Sequence, residues 1–207
     1  YSEGGMGKTA FSKKYVKTFE EYDHLIWVNV ENSIPNSFLL DDVLISNLGI
    51  EFTNSDNIKQ SFNLILNELN KIAGTNLLII DIQKCEDEIS DLKSLSSLST
   101  WQKLILTRSC HKTITSIKLP RISFEEAKQI YLSNSDKEKI EDKLFHDFFN
   151  YIDFNVLVVE LISKTIENSF DLTLDSIFSS LKEQRLDNED LAIDIDISNE
   201  PKPIRLF

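Results

Sequence analysis

The chain has 207 residues, a formal net charge of −12, and 41% hydrophobic against 27% charged residues. That balance describes a globular chain with ample core material, and it argues against broad, non-specific binding to nucleic acid. No apolar run approaches bilayer-spanning length; Cys85 and Cys110 lack CxxC spacing and a clustered histidine, which points to reduced thiols, a cytoplasmic setting and no cysteine metal site.

Gly4-Gly5-Met6-Gly7-Lys8-Thr9 stands at the start of the chain, followed by Ala10. Glycines there let successive amide N–H groups turn around an anion, and the positive end of a following helix adds to the same spot. Lys8 supplies a full charge for the β- and γ-phosphates of a nucleotide, and the Thr9 hydroxyl suits Mg²⁺. The strict eight-residue signature has glycine where this chain has Ser2, so the entry to the loop is shaped differently. A strand normally leads into such a loop, and only three residues precede Gly4. The expectation is therefore a fragment of a longer protein, with the first strand of the sheet lying before Tyr1.

Beyond the loop, the spacing of Phe11, Tyr15, Val16, Phe19 and Tyr22 predicts a helix over 11–22. Leu25 to Val30 reads as a buried parallel strand, and 38–48 and 58–72 carry helical spacing. Leu77-Leu78-Ile79-Ile80 forms a second strand ending in Asp81, and 103–107 a third ending in Thr107-Arg108. Residues 113–119 alternate and predict a last strand stopped by Pro120. Strands interleaved with helices define an α/β fold with a parallel sheet over 1–120.

After Pro120 the pattern becomes helical. Ser123-Phe124-Glu125-Glu126 has the form of a capping box, and helices are predicted through 136–150, 154–168 and 173–184, making a small helical subdomain over 121–185. Residues 186–207 read as an acidic linker running into the start of a further element.

In a phosphate-loop sheet, Asp81 lies beside Thr9 and holds Mg²⁺ through water, whereas elsewhere such a residue caps a turn. The next residue is Ile82, which can neither orient nor deprotonate a water; Glu86 and Asp87 are the nearby acids. Arg108 suits a γ-phosphate sensor, or pairs at the surface with one of many carboxylates.

Taken together, residues 4–11, 24–29, 77–81 and 103–108 occur in an order and spacing that resembles the NB-ARC ATPases, nucleotide-binding switch modules of the STAND class. Ile122-Ser123-Phe124-Glu125-Glu126-Ala127 is similar to that family's entry to its helical subdomain. Asn155 to Leu161 sits where its Gly-Leu-Pro-Leu-Ala-Leu segment belongs, with Val156 in place of the proline that contacts the nucleotide. The resemblance spans about residues 1–185. It implies ATP or ADP with Mg²⁺ as ligands, held by Gly4, Gly5, Met6, Gly7, Lys8, Thr9, Ala10 and Val156. Lys8, Asp81 and Arg108 would carry the chemistry, and Thr9 with Asp81 the metal. It further implies slow hydrolysis, self-association on exchange of ADP for ATP, and effector and sensor domains elsewhere in the protein, in bacterial defence or regulation.

Ser2, Ile82 and Leu106 depart from the family pattern, and the winged-helix subdomain would begin near Ile204. Two alternatives stay open: a binding module that has lost hydrolysis through Ile82, and an AAA-type DNA-associated ATPase, which the acidic balance disfavours.

Overall fold

The computed structural model describes residues 1–18, 21–52, 57–83, 88–112, 114–135 and 140–183. Phe19, Cys85, Glu86, Asp87, residues 136–139 and the acidic stretch 186–207 lie outside them. By contacts the chain divides into two units. Among the described residues, one holds Tyr1–Ser2 and Lys8–Lys118, and the other Glu3–Gly7 and the chain from Leu119 to Glu183.

The first unit is an α/β sheet domain. Its elements run α1 (Lys8–Thr18), β1 (His24–Val30), α2 (Ile34–Leu39), α3 (Asp42–Leu48), α4 (Ile58–Asn70), β2 (Asn76–Ile82), α5 (Glu88–Ser94), a 3-10 turn at Leu95–Ser97, and β3 (Trp101–Leu106). The three strands are parallel in the order β1-β2-β3, with Asn29 opposite Asp81 and Asp81 opposite Leu106. Every residue of β2 is buried, because it has a strand on each side and helices over both faces. That is why its sequence is a continuous apolar run rather than an alternating one.

Alternate side chains along the strands feed two separate cores. Ile26, Val28, Leu78, Ile80 and Ile82 pack with Phe38, Phe62, Ile65 and Leu69 of α2 and α4. Leu25, Trp27, Leu77, Ile79 and Leu106 form the opposite face, covered by Tyr15 and Val16 of α1. Trp101 ties β3 to the first core, donating its indole N–H to the Leu69 carbonyl at 2.9 Å.

The helical unit comprises α6 (Phe124–Asn134), α7 (Asp142–Tyr151), α8 (Val156–Asn168) and α9 (Leu174–Lys182). The capping box at its entry forms as the sequence predicts. Glu126 Oε2 accepts from the Ser123 N–H at 2.7 Å, and Ser123 Oγ accepts from the Glu126 N–H. The backbone bond from Ser123 holds the Glu126 carboxyl below its ordinary pKa. The core is aromatic: Phe145 meets Tyr131 edge-on at 5.0 Å and stacks on Phe149 at 5.3 Å, and Phe178 meets Phe148. Such rings pack large apolar areas in defined geometry.

Four expectations need correction. The first helix is described over Lys8–Thr18, and Tyr22 lies outside it; the Tyr22 hydroxyl instead meets Tyr15 and Gln102, both at 3.1 Å. Phe11 is 59% exposed, so Ser12, Tyr15 and Val16 make the packed face of α1. The helix expected at 38–48 is two helices, broken where Asp41 caps the second by accepting from the Leu44 N–H at 3.0 Å. Residues 114–119 are not a strand. A strand needs a ladder, and the backbone bond that the described residues make there is from the Tyr1 ammonium to the Ile117 carbonyl at 2.6 Å.

The Trp101 anchor is open to a direct check. Trp101→Phe keeps an apolar ring but removes the donor to Leu69 and leaves unfilled volume. It is expected to lower stability by about 1–3 kcal/mol in urea denaturation.

Candidate functional site

In the sheet unit, α1 starts immediately after Gly7, so Lys8 and Thr9 occupy its first turn. The Lys8 ammonium donates to the Ser2 carbonyl at 2.7 Å and lies 3.4 Å from Ser2 Oγ. Ser2 is buried, and its N–H donates to the Thr107 carbonyl, just past the end of β3, at 3.3 Å. Thr9 Oγ1 donates to Asp81 Oδ2 at 2.7 Å. The start of α1 is thus bonded to the ends of both β2 and, through Ser2, β3.

Strand parity explains which carboxylate takes part. Asp81 continues the face of Leu77 and Ile79, the one that α1 covers, and is only 7% exposed. Ile82 belongs to the other face and is 5% exposed among Ile80, Val30 and their neighbours. Burial lowers the pKa of Lys8, the Arg108 guanidinium lowers it further, and Asp81 acts in the opposite sense. Lys8 and Arg108 therefore feel each other's charge, and an anion placed near them relieves that repulsion. Arg108 itself is exposed, at a bend that Thr107 Oγ1 supports by accepting from the Ser109 N–H at 3.0 Å. Ala10 is exposed on α1 and takes no part in this bonded group.

The loop before Lys8 belongs by its contacts to the helical unit. Gly5 and Gly7 have φ of 77° and 86°, a region that disfavours side chains. Met6, between them, is buried. The Asn155 side chain donates from Nδ2 to the Gly4 carbonyl at 2.9 Å, and the Leu157 N–H donates to the Gly5 carbonyl at 3.0 Å. Val156 is half-buried at the first position of α8, between the two residues that bond the loop.

Of the residues singled out in the sequence, Thr9 and Asp81 join through a hydrogen bond, and Lys8 joins Asp81 and Arg108 electrostatically. Gly4 and Gly5 meet the segment that starts with Asn155. Two polar residues went unremarked as site candidates. Asn29 stands opposite Asp81 across the ladder, its side-chain Oδ1 accepting from the Trp27 indole N–H at 3.2 Å. Its signal was a lone polar residue late in an apolar strand. Asn155 caps α8, accepting from the Val158 N–H at 3.3 Å. Asparagine before a helical run is a recognisable cap, but its bond to Gly4 spans 151 positions of sequence.

The donor set fits Mg²⁺ better than a transition metal. Among the described residues no group of three or more His, Cys, Asp or Glu could hold a metal ion. Mg²⁺ does not need one: it keeps several waters and takes a hydroxyl or carboxylate plus phosphate oxygens, which Thr9 and Asp81 can supply. No protein-family model matches the chain, and no curated protein matches it in sequence.

The placement of Ile82 yields a test. Were its side chain replaced by a carboxylate, that group would be stranded in an apolar core. Ile82→Glu is expected to cost about 3 kcal/mol or more at pH 7 in denaturant melts. Burial raises the folded-state pKa of such a carboxyl, so the penalty shrinks as pH falls through that value toward about 4. Unchanged stability at pH 7 would show that position 82 is open to solvent.

Proposed function

We propose that this chain is the nucleotide-binding switch module of a STAND-type P-loop ATPase, of the NB-ARC kind. The observation that carries this reading is the 2.7 Å bond from Thr9 to Asp81, made directly after a loop whose Gly5 and Gly7 adopt positive φ. A threonine hydroxyl paired with a strand-end carboxylate has the arrangement needed to hold the water shell of Mg²⁺. Lys8 brings a partly buried ammonium, and Arg108 a second cation, to the same end of the sheet.

In this reading the ligands are ADP and ATP. The amides of the glycine loop donate to the phosphates, and Lys8 neutralises them. When bound, Mg²⁺ would supply charge compensation for the phosphates. Thr9 and Asp81 are the residues that would hold it, Asp81 through water and Thr9 through its hydroxyl oxygen. Arg108 reports the presence of the γ-phosphate through charge-assisted hydrogen bonds. Ligand binding biases a switch, and in the whole protein the module self-associates and drives effector and sensor domains elsewhere.

A second reading is favoured by one observation. Ile82 faces an apolar core, so it neither activates a water nor has room to be replaced by a residue that does. The module then binds nucleotide without turning it over, or turns it over slowly. A DNA-loading ATPase is the weakest reading, given a net charge of −12.

Calorimetric titration with Mg-ADP distinguishes these from a site that binds no nucleotide. Lys8→Ala is expected to weaken binding by about ten- to a hundredfold, the value of one or two charge-assisted hydrogen bonds. Thr9→Ala is expected to bind equally with and without Mg²⁺, having lost its metal contact. Parent-like, Mg²⁺-dependent affinity in both variants would contradict the reading.

A further inference from the structure

We infer that Asn155 is a positioning residue for the phosphate loop, aiming the Gly5 amide from the start of α8, where the Leu157 N–H aims the Met6 amide; the inference rests on the nucleotide reading above. The side chain of Asn155 is used at both ends. Its Oδ1 accepts from the Val158 N–H at 3.3 Å, and its Nδ2 donates to the Gly4 carbonyl at 2.9 Å. One residue further into the helix, the Leu157 N–H donates to the Gly5 carbonyl at 3.0 Å. Helix starts carry amides with no partner inside the helix, and here a loop carbonyl serves one of them as a cap.

The consequence for the loop follows from peptide geometry. A trans peptide is planar, with its C=O and N–H pointing in opposite directions. Holding the Gly4 carbonyl toward α8 turns the Gly5 N–H away from it. Holding the Gly5 carbonyl does the same for the Met6 N–H. These are two consecutive loop amides, and both are left facing away from the helix, as donors to an anion must be.

Local packing makes the arrangement specific. A Cβ built on Gly5 would lie 2.3 Å from Asn155 Oδ1, so only glycine lets the carboxamide approach. Immediately before Asn155, Asp153 and Phe154 both adopt left-handed backbone, with φ of 56° and 55°. Two such residues in succession are costly without glycine. The turn is held by the Phe154 N–H on the Phe149 carbonyl at 2.9 Å, and by Arg121 paired with Asp153 at 2.5 Å. The chain thus sustains a strained turn at the point that delivers Asn155 to the loop.

Asn155→Ser tests this without touching the cap, because serine caps helices about as well as asparagine but is one bond too short to donate to Gly4. Asn155→Ala removes the cap and the loop bond together. Each variant is compared with the parent protein by thermal melting without ligand and by calorimetric titration with Mg-ADP. The expected result is that Asn155→Ser melts with the parent yet binds Mg-ADP about three- to tenfold more weakly, one neutral hydrogen bond's worth. Asn155→Ala is expected to lose both melting temperature and affinity. Parent-like affinity in Asn155→Ser overturns the inference, as does weaker binding accompanied by the same drop in melting temperature as Asn155→Ala. If the parent binds no Mg-ADP, the nucleotide reading itself falls and takes this inference with it; if only the serine variant's effect is missing, the nucleotide reading stands.

Discussion

The hydroxyl–carboxylate bond between Thr9 and Asp81 is the constraint on which the candidate site depends. One partner opens α1 and the other closes the central strand, so the bond pins the residues after the glycine loop to the most buried part of the sheet. It forms because Asp81 shares a face with Leu77 and Ile79, and α1 packs on that face through Tyr15 and Val16. A carboxylate so deeply placed needs donors and nearby positive charge, and Thr9 and Lys8 supply them. Shifting the strand by one residue would put Ile82 beside Thr9 and Asp81 in the opposite core.

That parity also bears on what the site can do. Replacing an aliphatic residue by an acid at a strand end looks, on paper, like a simple way to alter turnover. The structure places Ile82 among the side chains of β1 and the helices that cover it, so the change would act first on folding. Asn29 is the polar neighbour on the correct face, opposite Asp81 and steadied by Trp27. Under the proposed function this leaves a site equipped to hold phosphate and Mg²⁺ firmly. It offers little on the described residues to activate water.

Much of the sheet was legible in the sequence, since buried parallel strands declare themselves as apolar runs. Leu77-Leu78-Ile79-Ile80 is the plainest case, and the Ser123–Glu126 capping box was equally clear because both partners lie within one turn. What could not be read depends on distant partners. The alternation over 114–119 resembles a strand, but a strand is a relation between two segments, and the Tyr1–Ile117 bond does not make a ladder. Phe11 matched the helical spacing, yet the buried face of α1 is set one residue on, at Ser12. The division at Asp41 turned on a capping side chain inside an apolar pattern, which periodicity alone passes over. Asn155 is the furthest case: local sequence gives its cap, and only the fold gives its bond to Gly4.

Under the proposed function, the segment Gly4–Thr9 holds the phosphates of a nucleotide. The most direct measurement is an amide NMR titration of the isotope-labelled protein with Mg-ADP. Saturable shifts are expected, concentrated on the amides of Gly5, Met6, Gly7, Lys8 and Thr9, each moving as a new hydrogen bond to phosphate forms. Shifts that leave this segment unmoved, or an absence of binding at millimolar ligand, would contradict it.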